Sequence, residues 1–82
     1  MGFFRVLKRV MTGQVIETIE APANDGKTTV SLRLKRDGSG RHYVVLVSVS
    51  SGNYQYVAFD RDEFDQFARA IETMRNVLNQ QP

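Results

Sequence analysis

The sequence predicts an α+β domain in which a four-stranded antiparallel meander sheet is followed by one C-terminal helix packed across it (ββββα). Three observations lead to this prediction. Residues 28–35 alternate apolar and polar side chains, residues 41–49 are rich in β-branched and aromatic side chains, and residues 60–78 repeat apolar side chains at spacings of three and four. A period of two indicates a half-exposed strand, and spacings of three and four indicate an amphipathic helix.

The central hairpin carries the clearest strand pattern. Alternation over residues 28–35 directs one set of side chains to the core, and directs Ser31, Arg33 and Lys35 to the opposite face. Residues 37–40 include two glycines and suit a four-residue loop, across which Arg36 would face Arg41. The cross-strand pairs expected on the apolar face are Leu34 with Tyr43, Leu32 with Val45 and Val30 with Val47.

Two further strands flank this hairpin. Residues 14–20 form the first strand, and residues 21–26 read as a loop because they combine proline, asparagine, aspartate and glycine. Residues 54–59 form the fourth strand, in which Val57 and Phe59 point inward. Tyr54 and Tyr56 are then expected on the open face of the sheet.

The C-terminal helix has a recognisable start and a long apolar stripe. Asp60 is the expected N-cap and Glu63 completes a capping box. One sheet of short strands does not cover the whole stripe, so its C-terminal half is expected to pack on a second copy of the chain. The dimer-interface residues predicted in this way are Phe67, Ile71, Met74 and Leu78. Residues 1–13 form a basic and apolar extension, and residues 14–80 form the single domain.

The residue inventory argues against catalysis. The chain has no cysteine and one histidine, His42, and it lacks GxSxG, HExxH and glycine-rich phosphate-loop motifs. Nucleophilic triads and histidine or thiolate metal sites therefore lack their parts. Four acids between residues 60 and 65 suit the first turn of a helix, where carboxylates favour the dipole. We expect a protein that is not an enzyme, with no metal, cofactor or small-molecule substrate.

Positive charge is concentrated in the N-terminal half. Residues 1–41 hold eight of the eleven Lys and Arg, although the net charge is only +2. Lys and Arg can follow the phosphates of a single strand while aromatic rings stack on unpaired bases. The predicted nucleic-acid-binding residues are Arg33, Lys35, Arg36, Arg41, His42, Tyr54 and Tyr56. Tyr43 is the candidate for stacking if the hairpin register is shifted by one residue, and the alternative is that all three tyrosines pack in the core or at its rim.

A family resemblance adds to this interpretation. The segment LRLKRDGSGRHYVV at residues 32–45 resembles the second and third strands of a PUR repeat, and the Phe-x-x-Ala-Ile rhythm from Phe67 to Ile71 is similar to the helix of that repeat. PC4-like and Whirly-like modules are neighbouring folds. The resemblance implies a curved four-stranded sheet with one helix, two repeats intertwined through their helices, and binding of single-stranded, often purine-rich, DNA or RNA, with a role in transcription regulation. Only one repeat is present, so the second would come from another copy, and residues 1–12 have no counterpart in the family.

The functional expectation is a homodimeric protein that binds single-stranded DNA or RNA through the basic and aromatic face of its sheet. The alternative is a protein-interaction or assembly module that does not bind nucleic acid. No apolar run approaches the roughly 18 residues that a membrane span requires. The expected location is intracellular, in the cytoplasm or with nucleoid or nuclear material, and the acid-free basic N-terminus also suits a mitochondrial transit segment.

Overall fold

The computed structural model describes residues 12–82, which form one antiparallel sheet and one helix. The elements are β1 (Gln14–Ala23), β2 (Thr28–Arg36), β3 (His42–Ser50), β4 (Asn53–Phe59) and α1 (Arg61–Asn79). The strand order is β1-β2-β3-β4, so each strand pairs with its neighbour in sequence, and β1 and β4 are the two edges. The predicted ββββα architecture is confirmed.

The register of the β2–β3 hairpin differs by one residue from the prediction. Arg36 pairs with His42 and not with Arg41, so Lys35 lies opposite Tyr43. Because neighbouring side chains in a strand point to opposite faces, a shift of one residue exchanges the faces of a whole strand. The expected pairing of Leu34 with Tyr43, and the pairs that follow from it, are therefore wrong.

The carboxylate of Asp37 explains the shift. Its Oδ1 accepts hydrogen bonds from the Ser39 backbone N–H at 2.9 Å, the Ser39 hydroxyl at 2.7 Å and the Arg41 backbone N–H at 3.0 Å. The Asp37 N–H also donates to the Arg41 carbonyl at 2.9 Å. Arg41 therefore belongs to the loop, which spans residues 37–41, and Gly40 supplies the positive φ (+87°) that closes it.

The observed register gives the sheet two distinct faces. The tyrosine face carries Arg33, Lys35, Tyr43, Tyr54 and Tyr56, together with the apolar side chains between them. The helix face carries the alternate residues, among them Leu32, Leu34, Val44, Val57 and Phe59.

The most deeply buried side chains lie on the tyrosine face. Val45 and Val47 are 1% and 0% exposed, and Lys35 is 5% exposed. Ser31 and Tyr43 are also buried, whereas the apolar residues of β2 on the helix face are only half-buried. The predictions that Ser31 and Lys35 point to solvent and that Val30, Leu32 and Leu34 form the buried side are therefore wrong.

The chain entering β1 passes directly against Tyr43. The Tyr43 hydroxyl donates to the Thr12 carbonyl at 3.1 Å. Gly13 has a φ of +87°, and a Cβ at this position would collide with the Tyr43 hydroxyl. Gly13 is therefore required both by its backbone conformation and by this close approach.

Strand β1 is longer than the sequence predicts. The predicted loop at residues 21–26 is wrong in part, because Ala21, Pro22 and Ala23 pair with β2 and the turn occupies only residues 24–27. Proline is tolerated here because β1 is an edge strand, where the N–H that proline lacks can face away from the ladder. The register also shifts between Val15 and Glu17, which leaves one bulged residue near the start of the strand.

Helix α1 begins as predicted and packs through its first turns. Asp60 is the N-cap and forms the full capping box with Glu63, at 2.9 Å and 3.0 Å. Phe59 at the end of β4 contacts Phe67 with a ring-centroid distance of 4.8 Å and Phe64 edge-on at 5.8 Å. This aromatic cluster fixes the helix against β3 and β4 on the helix face.

Candidate nucleic-acid interface

Tyr54 and Tyr56 form an exposed aromatic pair on the tyrosine face. They are two residues apart on β4 and therefore point to the same side. Their ring centroids are 6.4 Å apart and their planes are inclined by only 14°. Tyr54 is 57% exposed and Tyr56 is 41% exposed, so both rings are accessible for stacking. These two tyrosines lie on the face opposite Val57 and Phe59, as predicted, but this face also carries the buried residues Val45 and Val47 and is not the open face that the alternation led us to expect.

Among the residues that the structure describes, Arg33 is the accessible cation on the β2 strand of this face. It is half-buried and pairs with Val45, which in turn pairs with Ala58 on edge strand β4. Two strand spacings separate Arg33 from the backbone of β4, a distance of about 10 Å. Val45 and Val47 lie between Arg33 and the tyrosine pair and are buried, so a contact of Arg33 with a strand stacked on the tyrosines requires that strand to cross this buried stretch.

Lys35 is on this face but is not a surface cation. Its Nζ lies 6.0 Å from the centroid of the Tyr43 ring, within cation–π range. Burial lowers the pKa of Lys35, and the nearby positive charge of Arg33 lowers it further. Lys35 therefore contributes positive potential beneath the face. The direct phosphate contact predicted for it is not available, because a phosphate cannot reach a side chain that is buried this deeply.

The remaining predicted binding residues lie at the end of the β2–β3 hairpin. Arg36 and His42 are exposed, form a cross-strand pair and project to the helix face. Arg36 donates to Gln14 Oε1 at 2.8 Å. Arg41 is exposed in the loop. The seven predicted residues are thus divided into the tyrosine pair, the Arg33–Lys35 side of β2, and a basic hairpin tip.

A polar cleft between the hairpin tip and the start of α1 adds little net charge. Its lining includes Arg41, His42 and Arg61, but also the carboxylates of Asp37, Asp60 and Asp62. Hydrogen bonds lower the pKa of Asp37, with the Ser39 side chain as the largest cause and the Arg41 backbone N–H next. Because carboxylates lie beside the basic side chains here, the hairpin tip attracts phosphates less strongly than Arg36 and Arg41 alone would.

The burial of two residues on the tyrosine face, Tyr43 and Ser31, was not predicted from the sequence. Tyr43 was the alternative candidate for a register shifted by one residue, and it does lie on this face, but it is only 4% exposed. Ser31 is 1% exposed, and its hydroxyl has no hydrogen-bond partner among the residues that the structure describes. The sequence feature that could have predicted the position of both residues is the loop from Asp37 to Arg41. An Asp side chain at the start of such a loop can accept hydrogen bonds from the backbone N–H groups of the residues that follow it, and these bonds set the hairpin register.

The predicted dimer-interface residues form an exposed apolar stripe along α1. Phe67 is half-buried in the aromatic cluster, whereas Ile71 is 48% exposed and Met74 and Leu78 are each 66% exposed. Val77, which the sequence analysis did not include, is 47% exposed beside them. An apolar groove of about 340 Å³ lies between the first turn of α1 and the β1–β2 half of the helix face.

Two features typical of other functional classes are absent from residues 12–82. No group of three or more His, Cys, Asp or Glu side chains is arranged there to hold a metal ion. No helix in the same range is long and apolar enough to span a bilayer.

Comparison of the chain with protein-family models, with curated proteins and with solved structures finds no match. The resemblance to a PUR repeat therefore stays a prediction that depends on the residues of this sequence.

Proposed function

We propose that this protein binds single-stranded DNA or RNA, with unpaired bases stacked on Tyr54 and Tyr56. The observation that carries the proposal is the exposed, nearly parallel pair of rings on one face of the sheet. Stacking of one base on an aromatic side chain contributes about 1 to 3 kcal/mol, and it requires a base face that a duplex hides. The tyrosine pair therefore supports a preference for single strands.

Phosphate contacts complete the proposed site. Arg33 is an accessible cation of β2 on the tyrosine face, and Lys35 beneath it adds positive potential without direct contact. Arg36 and His42 project to the helix face and Arg41 lies in the loop, so these three residues are outside the tyrosine face. The phosphate contact proposed for a strand that stacks on the tyrosines is therefore with Arg33. A purine-rich preference is consistent with stacking, because purines offer the larger ring faces.

The exposed stripe of α1 supports a homodimer as the functional form. Large apolar side chains in a continuous row, such as Ile71, Met74 and Leu78, are unfavourable in water and typical of an interface. The apolar groove beside the start of α1 offers a matching surface on a second copy. A two-fold arrangement in which each stripe packs on the other subunit would cover both surfaces.

The proposed function is tested by titrating fluorescent oligonucleotides with the protein and following anisotropy at fixed salt. The panel contains purine-rich and pyrimidine-rich single strands of DNA and RNA and a duplex of equal length. We expect single strands to bind more tightly than the duplex, although the duplex has the higher charge density. Equal or weaker binding of single strands would contradict the proposal.

The second candidate function is a protein-interaction module without nucleic-acid binding. The apolar stripe of α1 favours it, because such a surface can take a partner protein as well as a second copy. Purification separates the two candidates: a nucleic-acid binder is expected to retain nucleic acid at low salt, with a raised ratio of absorbance at 260 nm to that at 280 nm. A protein free of nucleic acid under those conditions, with no affinity in the oligonucleotide panel, would favour the interaction module.

A further inference from the structure

The two edges of the sheet differ in how they are protected. An exposed edge strand can pair with another strand unless proline, charge or a bulge prevents it. Edge strand β1 has all three devices: Pro22, the acidic residues Glu17 and Glu20, and the bulge after Val15. The other edge, β4, has none of them, since Asn53–Phe59 contains no charge, no proline and no register shift.

The backbone groups on the open edge of β4 follow from its turn. Ser51 and Gly52 have φ values of +47° and +81°, as in a two-residue type I′ hairpin turn, and Ser50 and Asn53 close it. In such a hairpin the closing pair is hydrogen-bonded, and hydrogen-bonded and non-hydrogen-bonded pairs then alternate along the ladder. Tyr54 and Tyr56 are therefore in non-hydrogen-bonded pairs with β3. Ala58 is also in a non-hydrogen-bonded pair. Because the backbone N–H and C=O of these three residues are not used in bonds to β3, they point to the open edge.

The neighbouring structure leaves this edge accessible. Tyr54, Tyr56 and Val57 are each at least 41% exposed, although they point to opposite faces. Helix α1 packs on the helix face through the aromatic cluster and contacts β3 as well as β4, so its first turns lie over the sheet. Within residues 12–82, the open edge thus presents unpaired backbone groups over most of the strand.

We propose that β4 pairs with β4 of a second copy, in an antiparallel arrangement centred on Tyr56. Only residues with outward backbone groups can form hydrogen-bonded pairs across the new interface. Full overlap of the seven residues pairs Tyr56 with Tyr56 of the partner subunit and Tyr54 with Ala58 of the partner subunit. The three hydrogen-bonded pairs exchange two bonds each, about six in all, and the two sheets become one of eight strands.

A second copy fits this edge better than an unrelated strand. The pairing has two-fold symmetry, so each residue must be compatible with the residue across the axis on an identical strand. Because β4 carries no charge, the symmetric register brings no like charges together. On the helix face it places Gln55 opposite Val57 of the partner subunit, and on the tyrosine face it places two tyrosine rings side by side.

This pairing would enlarge the proposed binding site. The enlargement of the site rests on the proposed function, whereas the strand pairing itself requires no nucleic acid. Tyr54 and Tyr56 of both subunits would form a row of four rings across the middle of the eight-stranded sheet. Because the β4 interface and the α1 stripe are different surfaces, both can be used at once, and four chains close into one assembly where the two two-fold axes intersect at right angles.

Introduced cysteines test the register directly, because the natural chain contains no cysteine. In Tyr56→Cys the two cysteines would lie opposite each other with a Cα separation of about 5.5 Å, within disulfide range. In the matched control Tyr54→Cys the same residues of the two subunits would be about 13 Å apart along the strands and could not be bridged. Both variants are oxidised without nucleic acid and run on a non-reducing gel, after circular dichroism has confirmed their fold.

We expect a covalent dimer from Tyr56→Cys and none from Tyr54→Cys. No cross-link from either, or equal cross-linking of both, would overturn the proposal, whatever the oligonucleotide panel shows. A second measurement uses Gln55→Lys, which places on the edge the kind of charge that natural edges use, with Gln55→Thr as an uncharged control. Light scattering should give half the wild-type mass for Gln55→Lys and the wild-type mass for Gln55→Thr; an unchanged mass for Gln55→Lys would also overturn the pairing.

Discussion

Lys35 lies directly opposite Tyr43 across the β2–β3 ladder, with its Nζ 6.0 Å from the centroid of the tyrosine ring. This pair exists only because Arg36 pairs with His42, one residue later than the alternation of β2 suggests. It places a lysine in the most buried part of the sheet, where its ammonium is poorly solvated.

The first prediction concerns the pH dependence of stability. The pKa of Lys35 is lowered by burial and by Arg33, so between that lowered value and the unfolded value of about 10.5 the folded protein binds fewer protons than the unfolded chain. The free energy of unfolding due to this group should therefore rise with pH through that window. Denaturant unfolding from neutral pH to about pH 10 measures it, with Lys35→Met as the reference lacking the group. A wild-type minus Lys35→Met difference that does not change with pH would contradict the assignment.

The second prediction concerns the loop that sets the register. Hydrogen bonds from Ser39 and Arg41 lower the pKa of Asp37, so its carboxylate should titrate below the usual range of an aspartate. The loop should lose these bonds as pH falls through that lowered pKa, and should keep them above it. NMR titration of the Asp37 carboxyl carbon checks the midpoint, and Ser39→Ala should move it upward. A midpoint at the ordinary aspartate value would show that the carboxylate does not organise the loop.

The sequence predicted the elements well but could not predict this register. The helix start followed from Asp60 and Glu63, whose capping box depends only on local residues. In β3, by contrast, residues 43–47 are all apolar, so a shift of one residue still puts apolar side chains on both faces. Without alternation in β3, the pattern of β2 is compatible with more than one register. The side chain of Asp37 selects the observed register, because its hydrogen bonds place Arg41 in the loop.

The predicted binding residues lie in separate places because of the same hairpin register. Once the register is fixed, Lys35 falls beside the buried apolar residues of β3, and Arg36 and His42 fall on the opposite face. Tyr54 and Tyr56 were placed correctly because β4 alternates around Val57 and Phe59. Periodicity likewise identified the apolar stripe of α1, but it contains no information about which surface covers that stripe.

The third prediction concerns the stripe of α1. Met74→Asp places a charge in the middle of the proposed apolar interface and should reduce the assembly to half the wild-type mass. Met74→Leu, which keeps the apolar volume, should leave the mass unchanged. Light scattering at micromolar concentration gives both masses. A wild-type mass of a single 9.3 kDa chain would remove the homodimer from the account.

The fourth prediction separates phosphate contact from net charge. Arg33→Glu should weaken single-strand binding and reduce the salt dependence of log affinity by about 0.7 for one phosphate contact. Arg75→Glu makes the same change in net charge on the exposed surface of α1 and should have a much smaller effect. Anisotropy titrations over a series of salt concentrations measure both slopes. Equal losses in the two variants would mean that only overall charge matters.

The central claim is that bases stack on Tyr54 and Tyr56, and the most direct measurement compares two double variants. Tyr54→Ser/Tyr56→Ser removes both rings, whereas Tyr54→Phe/Tyr56→Phe keeps the rings and removes only the hydroxyls. Single-strand and duplex affinities are measured by anisotropy at one salt concentration, with mass and thermal unfolding as checks on assembly and fold. We expect the serine variant to lose roughly tenfold or more in single-strand affinity, as about 1 to 3 kcal/mol per stacked base implies, with duplex affinity little changed. The phenylalanine variant should bind as the wild type does, and a serine variant that keeps its full single-strand preference would contradict the account.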